Sequence, residues 1–484
     1  MKTTLEKTSV KQYEILVGGE WEKSGRTLEV INPFDGRPAA LTYAADAAQL
    51  ERAVKKLQDS FALTRRLPSY ERSRILSRIA VSVEAHRDDL AATIAVEAGK
   101  PLKDSAREVE RAVLTLQTAA EEAKRIPGEV MSLDLAAGAE ERFGIVRRYP
   151  IGPVLAITPF NFPLNLAVHK LAPAIAVGNP ILVKPASKTP VVMLKLARLV
   201  LEAGWPKEAL SVFPLAASSY DRLVADERFK LLTFTGSQDV GWQIKAKAGK
   251  KKVVLELGGN ASAIIDEGAS AAFAAKRVAA GAFALAGQSC ISVQRVYVHE
   301  SLKNSFTQEL LNLVQGLKVG DPMDPAVDVG PMIDAASAQK TKAWLEEAVK
   351  EGAKILCGGG VNGTIMQPTV LASVNPLSKV CAEEAFAPLV CLFPFNDFED
   401  ALRQANDSRF GLQAGVFTPS LEHALAAFER LEVGGVMINE VPTWRMDPMP
   451  YGGVKDSGLG REGVKYSIEC MSEPKLMVLN RRCP

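Results

Sequence analysis

Several things are missing from this chain of 484 residues, and each absence narrows what it does. No run of about 18 apolar residues is present, so no membrane-spanning helix is expected. Charge of one sign is missing too: 58 Lys and Arg stand against 56 Asp and Glu, a net charge of +2. A binder of nucleic acid or of membrane surfaces needs clustered basic charge. The one basic run, Lys250-Lys251-Lys252, is short and leads directly into an apolar strand, as a solvated turn does. The six cysteines (Cys290, Cys357, Cys381, Cys391, Cys470 and Cys483) form no C-x-x-C pair. Nor do they show metal-ligand spacing, so no metal is expected. A chain this long folds without disulfides, and reduced thiols are its default. The first residues, MKTTLEKTSVKQYE, hold no apolar stretch of the secretory type. The expectation is a soluble, cytoplasmic protein with no nucleic-acid or membrane partner.

What is present reads as a large α/β protein. Hydrophobic content is 47% and charged content 24%, ordinary globular usage that predicts a sizeable core. The length fits about three domains or one large two-lobed enzyme. No internal repeat or low-complexity stretch appears. Residues 13–45 carry turn signals, Val17-Gly18-Gly19 and Asp35-Gly36, between short apolar runs, which predicts small strands. From about 46 to 126 the pattern is helical, broken at Pro68 and at Gly99-Lys100-Pro101.

Five short apolar runs then predict buried strands: Val154–Thr158, Ile181–Lys184, Leu210–Phe213, Leu231–Phe234 and Val253–Leu257. Helical patterns such as Val191–Ala203 and Val240–Ala248 fall between them. That alternation predicts right-handed crossovers and a parallel sheet, whose ligands sit at the carboxyl ends of the strands. Asn161, Lys184, Gly236 and Glu256 fall at or just beyond such ends. Farther on, Val293–Val298 predicts a strand and Leu302–Leu317 a helix. The apolar tail Leu476–Leu479 is a candidate sheet edge, and so a candidate subunit contact.

Seven motifs carry a resemblance: TPFNFP (158–163), KPASKTP (184–190), FTGS (234–237), LELGGN (255–260), GQSC (287–290), EEAFAP (383–388) and PYGGVKDSGLGREG (450–463). In this order they resemble the aldehyde dehydrogenase superfamily, from about residue 16 to the C-terminus. The closing segment VPTWRMDPMPYGGVKDSG resembles a branch of lactaldehyde and glyceraldehyde-3-phosphate dehydrogenase-like members. The resemblance implies a Rossmann-like cofactor domain (1–127 and 148–255), an α/β catalytic domain (256–467) and a small β oligomerisation extension (128–147 and 468–484). A homodimer or homotetramer follows from the same resemblance.

It also implies roles. Cys290 resembles the nucleophile, a role that suits cysteine because its thiolate is intrinsically reactive; read alone, it would be one more buried cysteine. Glu256 resembles the general base that activates water to hydrolyse the thioester, a task that suits a carboxyl raised in pKa by burial. Members that pass the acyl group to coenzyme A generally lack that base, so Glu256 favours a free acid over acylation. Asn161 resembles the side-chain oxyanion donor. For NAD or NADP, Thr158, Pro159, Lys184, Ser187, Gly236, Ser237 and Gly241 are implied, with Lys184 at the adenosine ribose and Gly236-Ser237 opening a helix whose N-terminus suits pyrophosphate. Glu384 and Phe386 are implied at the nicotinamide ribose and ring.

Departures from the family pattern add detail. Ser187 stands where many NAD-preferring members carry Glu, which lifts repulsion of a 2′-phosphate and predicts that NADP+ is accepted. Pro214-Leu215-Ala216-Ala217-Ser218-Ser219 lacks a glycine common there, and Ala387 replaces a usual glycine beside Phe386. Arg445, Arg107 and Arg111 are candidates for an anionic or hydroxylated substrate tail, each equally readable as a surface ion pair. Alternatives to the hydrolytic reading are an acylating dehydrogenase and a non-catalytic protein of the same fold.

Overall fold

The computed structural model describes residues 10–216 and 219–482. The opening nine residues, Ala217-Ser218 of the glycine-free segment, and Cys483-Pro484 lie outside them. The predicted helical stretch is four helices: Ala47–Thr64, Ser69–Ala85, Arg87–Ala98 and Leu102–Glu122. Asp46 starts the first with a capping box, accepting from the Gln49 N–H while the Gln49 side chain accepts from its own. The breaks fall at the expected residues. Pro68 precedes the second helix, and Gly99 closes the third at φ +67°, a left-handed conformation that glycine adopts without strain.

The first sheet has eight strands, in the order Glu20–Glu22, Ile15–Val17, Leu210–Val212, Ile181–Lys184, Val154–Ile157, Leu231–Thr235, Lys252–Glu256 and Gly458–Leu459. Its five central strands are the five predicted runs, each ending within a residue or two of its expected limit, and they pair in parallel. Helices cover both faces, so these strands are apolar throughout rather than alternating. Gly458–Leu459 comes from the region expected in the catalytic domain, yet it pairs antiparallel with Lys252–Glu256. Lys250 and Lys251 turn the chain ahead of that strand, and Lys252 opens it.

A second sheet of seven strands runs Lys354–Cys357, Thr369–Ala372, Leu389–Phe395, Val293–His299, Ala261–Ile265, Gln413–Phe417 and Gly435–Ile438. All its pairings are parallel except at the first edge. A third, antiparallel sheet stands apart: Ser472–Asn480, Arg142–Pro150 and Gly128–Ser132, with Leu476 opposite Val146. Its tail strand leaves Leu476, Met477, Val478 and Leu479 exposed. Among the described residues no helix is long and apolar enough to cross a membrane.

Candidate active site

Cys290 is placed by a strained turn. After helix Ala271–Phe283 the chain passes through three consecutive left-handed residues, Leu285 (φ 52°), Ala286 (φ 52°) and Gly287 (φ 68°). Each non-glycine residue in that region costs about 1–2 kcal/mol, which the surroundings must offset. Gln288 supplies the clamp. Its side-chain amide donates to the Leu285 carbonyl at 3.1 Å, and its oxygen accepts from the Ile333 N–H at 2.8 Å. Position 287 admits only glycine, since a Cβ there would lie 2.0 Å from the Ala387 carbonyl oxygen. Gly259 of LELGGN is forced in the same way, by the Cys290 carbonyl oxygen at 2.1 Å.

Around the thiol, Tyr451 brings its hydroxyl to 2.9 Å from Sγ. Asn161 donates from Nδ2 to the Gln288 carbonyl at 2.9 Å, and its oxygen accepts from the Phe162 N–H. One amide hydrogen of Asn161 is left for a ligand. Burial pushes the Cys290 thiol up to about 12, against the pull of the Tyr451 hydrogen bond.

Glu256 ends its strand 3% exposed, with neither carboxylate oxygen hydrogen-bonded. Burial, and then the charge of Glu462, push its pKa well above the carboxylate range; Lys170, Arg445 and Arg461 act in the other direction. Glu462 behaves oppositely. Burial raises it, but Lys170, His169 and Arg445 together hold it below its ordinary value. The two carboxyls thus divide the roles, one inclined to hold a proton and the other to stay charged. Behind them, Lys170 binds Glu462 and the Thr233 hydroxyl, while Asp447 accepts from Arg111, Asn165 and His169.

Two cavities reach Cys290, Asn161 and Glu256. The larger, about 370 Å³, is also lined by Pro159, Gly236, Ser237, Glu384 and Phe386. Helix Gln238–Lys247 opens on this side: Ser237 stands at its N-cap but makes no capping hydrogen bond, so the first N–H groups stay free for an anion. A Cβ on Gly236 would meet the Phe234 ring at 2.5 Å, so that turn keeps its backbone bare. Glu384 accepts from the Gly259 N–H at 2.9 Å, and burial brings it up to about 7. Phe386 sits at φ 51° and packs edge-to-face on Phe160. Ala387, the residue that departs from glycine, needs no left-handed backbone; the strain falls on Phe386 instead. An open helix N-terminus, a bare turn, the Glu384 carboxylate and the Phe386 ring along one cavity fit a dinucleotide.

Other expected cofactor residues are placed differently. Thr158 is buried with an unpartnered hydroxyl, just before Pro159. Gly241 lies away from the cavity; a Cβ there would strike Leu257 at 2.3 Å, so its bareness serves helix-to-strand packing. Ser187 is exposed. Lys188, expected to flank it, is engaged by Asp334, and Lys184 lies 5.7 Å from the centre of the Tyr220 ring.

The smaller cavity, about 130 Å³, is lined by Arg111, Arg445, Tyr451 and Glu462 on the far side of Cys290. Arg445 stacks on Tyr451 at 3.7 Å and lies 3.8 Å from the Glu462 carboxylate, an ion pair without a hydrogen bond from Nε or Nη2. Arg107 is a correction. Its side chain is 72% exposed and pairs with Asp104, outside both cavities. Sequence reasoning missed Tyr451, Lys170, His169 and Glu462. Tyr451 and Glu462 lie within the quoted 450–463 motif, and His169-Lys170 interrupt an otherwise apolar helix, Asn165–Val177, that is buried along its length. That interruption was a signal, since buried charge needs a partner.

The chain matches the Aldehyde dehydrogenase family over residues 21–477. It is 44% identical over 474 residues to a 3-sulfolactaldehyde dehydrogenase of Priestia aryabhattai, covering 98% of this chain and 99% of that one. Among solved structures it resembles aldehyde dehydrogenase 21 from Physcomitrella patens in complex with the reaction product succinate, at 41% identity and a TM-score of 0.96, covering 98% and 99% of the two chains. It also resembles the glyceraldehyde-3-phosphate dehydrogenase GapN of Methanocaldococcus jannaschii complexed with NADP, at 37% identity and a TM-score of 0.91, covering 95% and 100%.

Proposed function

The chain belongs to the aldehyde dehydrogenase family, and from that premise we propose that Cys290, Glu256 and Asn161 oxidise an aldehyde to its free acid with NAD(P)+. The observation that carries this reading is the meeting of two cavities at Cys290, with Asn161 and Glu256 on both walls.

Sγ attacks the aldehyde carbon from the small cavity as its proton passes to solvent, directly or through Glu256, which is left ionised. The free amide hydrogen of Asn161 and the Cys290 N–H stabilise the resulting oxyanion, a contact worth about 10²- to 10³-fold per donor. Gly236, Ser237, Glu384 and Phe386 in the larger cavity would hold NAD(P)+, which would supply the hydride acceptor needed to take a thiohemiacetal on Cys290 to the thioester. Glu256 then takes a proton from water. The hydroxide adds to the thioester carbon, and collapse expels the Cys290 thiolate with the free acid. Glu256, buried without a hydrogen-bond partner, supports hydrolysis over transfer to coenzyme A.

For the substrate we propose a short aldehyde with an anionic tail. The support is the small volume of its cavity, the Arg445 guanidinium on its wall, whose Nε and Nη2 make no hydrogen bond, and the 3-sulfolactaldehyde dehydrogenase name of the Priestia relative. Ser187 with Lys184 supports acceptance of NADP+. A homodimer or homotetramer is also proposed, supported by the exposed apolar tail strand and the open apolar edge Gly435–Ile438. A cytoplasmic setting is supported by five free cysteines among the described residues.

Reduced-nicotinamide absorbance with sulfonated, carboxylated, phosphorylated and neutral short aldehydes, each with NAD+ and NADP+, tests the reading. Free acid should appear without coenzyme A, and C290S should abolish it. No turnover across the panel in protein that binds cofactor, or a requirement for coenzyme A, would overturn it. R445A should raise KM for anionic aldehydes more than for neutral ones.

A further inference from the structure

Away from the active site, a cavity of about 480 Å³ opens where helix Ser69–Ala85 begins, helix Leu102–Glu122 ends, and the third sheet leaves the body. Six cations line it (Arg65, Arg66, Arg72, Lys124, Arg147 and Arg148), and no Asp or Glu does. Among the described residues none of the six is paired with a carboxylate. Arg72 donates to the Ala176 and Val177 carbonyls, and Arg148 to the Glu469 carbonyl and the Ser472 hydroxyl. Arg65 lies over the Phe61 ring and Arg147 beside Tyr149. Two nearby cations that do not line the cavity are paired, Arg74 with Glu71 and Arg125 with Glu121.

Six like charges around one concavity repel each other, and a bound anion relieves that repulsion. Guanidinium forks match tetrahedral oxyanions in geometry as well as charge. Helix Ser69–Ala85 adds a polar end to the wall, since Pro68 at its cap has no side-chain acceptor for the first N–H groups. The concavity has the volume of an ordinary small-molecule site, about 300–1,000 Å³.

We propose that this basic cavity binds a small molecule bearing a tetrahedral oxyanion, a phosphate or sulfonate group, separately from the active site. Titration calorimetry on the full-length enzyme, saturated with NADP+ so that its phosphate-binding helix end is filled, tests this. Inorganic phosphate, pyrophosphate and glycerol 3-phosphate are the probes, at constant ionic strength in chloride. One saturable site per chain is expected. Its affinity should fall at least tenfold in R65A/R66A and in R147A, and stay unchanged in K303A/R403A, which removes two exposed cations elsewhere. Basal turnover should match wild type in all of these variants. Either inorganic phosphate or the ester as the tighter probe supports the site and distinguishes free phosphate from an organic ligand. Absence of saturable binding, equal affinity in R65A/R66A, or an equal loss in K303A/R403A overturns it. So does a changed subunit count in R65A/R66A without anion binding by wild type, which would assign the cavity to a second copy of the chain.

Discussion

Replacing Tyr451 by Phe removes one oxygen, 2.9 Å from the Cys290 sulfur, and keeps the ring on which Arg445 stacks. Burial pushes Cys290 up to about 12, and the Tyr451 hydrogen bond is the strongest pull in the other direction. A hydrogen bond to a charged group contributes about 1.5–3 kcal/mol. At about 1.36 kcal/mol per pH unit, its loss should raise the thiol pKa by roughly one to two units. Below that pKa the thiolate fraction falls in proportion, so alkylation of Cys290 by iodoacetamide at fixed pH should slow about 10- to 100-fold. Mass spectrometry of the Cys290 peptide separates this from Cys357 and Cys470, which are also partly accessible. NAD(P)+ affinity should not move, because Tyr451 lines only the smaller cavity. If the alkylation–pH profiles of wild type and Y451F superimpose, the hydrogen bond does not stabilise the thiolate and the reasoning fails.

Other perturbations follow from the same geometry. E256Q should release reduced nicotinamide in a burst of about one equivalent and then stall, with acyl-enzyme visible by mass; steady turnover at the wild-type rate would remove Glu256 as the base. G287A forces a Cβ to 2.0 Å from a carbonyl oxygen at φ 68°, so the melting temperature should fall by several degrees and kcat with it; unchanged melting would mean the turn is less constrained than described. Glu97, buried under the N–H groups of Val191 and Val192, is pushed up to about 8 by burial. A raised folded-state pKa gives stability that is full below about 4.5 and is lost as pH rises to about 8, at up to about 1.4 kcal/mol per pH unit. Denaturant titrations across that window should show the slope in wild type and its absence in E97Q.

Much of the fold was legible because burial on both faces writes itself as unbroken apolar runs. Val154–Ile157 and Ile181–Lys184 are sandwiched by helices, so their sequence could not alternate. Gly287 and Gly259 were legible as motif letters, and the structure supplies their cause, backbone carbonyls where a Cβ would stand. Which of the candidate arginines face the cavity was not legible. Arg107 and Arg111 lie one turn apart on a single helix, about 6 Å along its axis. That step takes the side chain from open solvent beside Asp104 to the cavity wall beside Asp447, a residue 336 positions away.

The sequence by itself determined the parallel-sheet architecture and the family, and it supplied Cys290, Glu256 and Asn161 as the proposed reacting set, because local pattern and motif spacing are written along the chain. Tertiary structure alone decided how those groups are tuned. Tyr451 reaches Cys290 across 161 positions, and Lys170 reaches Glu462 across 292. Which charge faces which carboxyl depends on where distant strands and helices dock, and buried electrostatics follow distance in space rather than position in the chain.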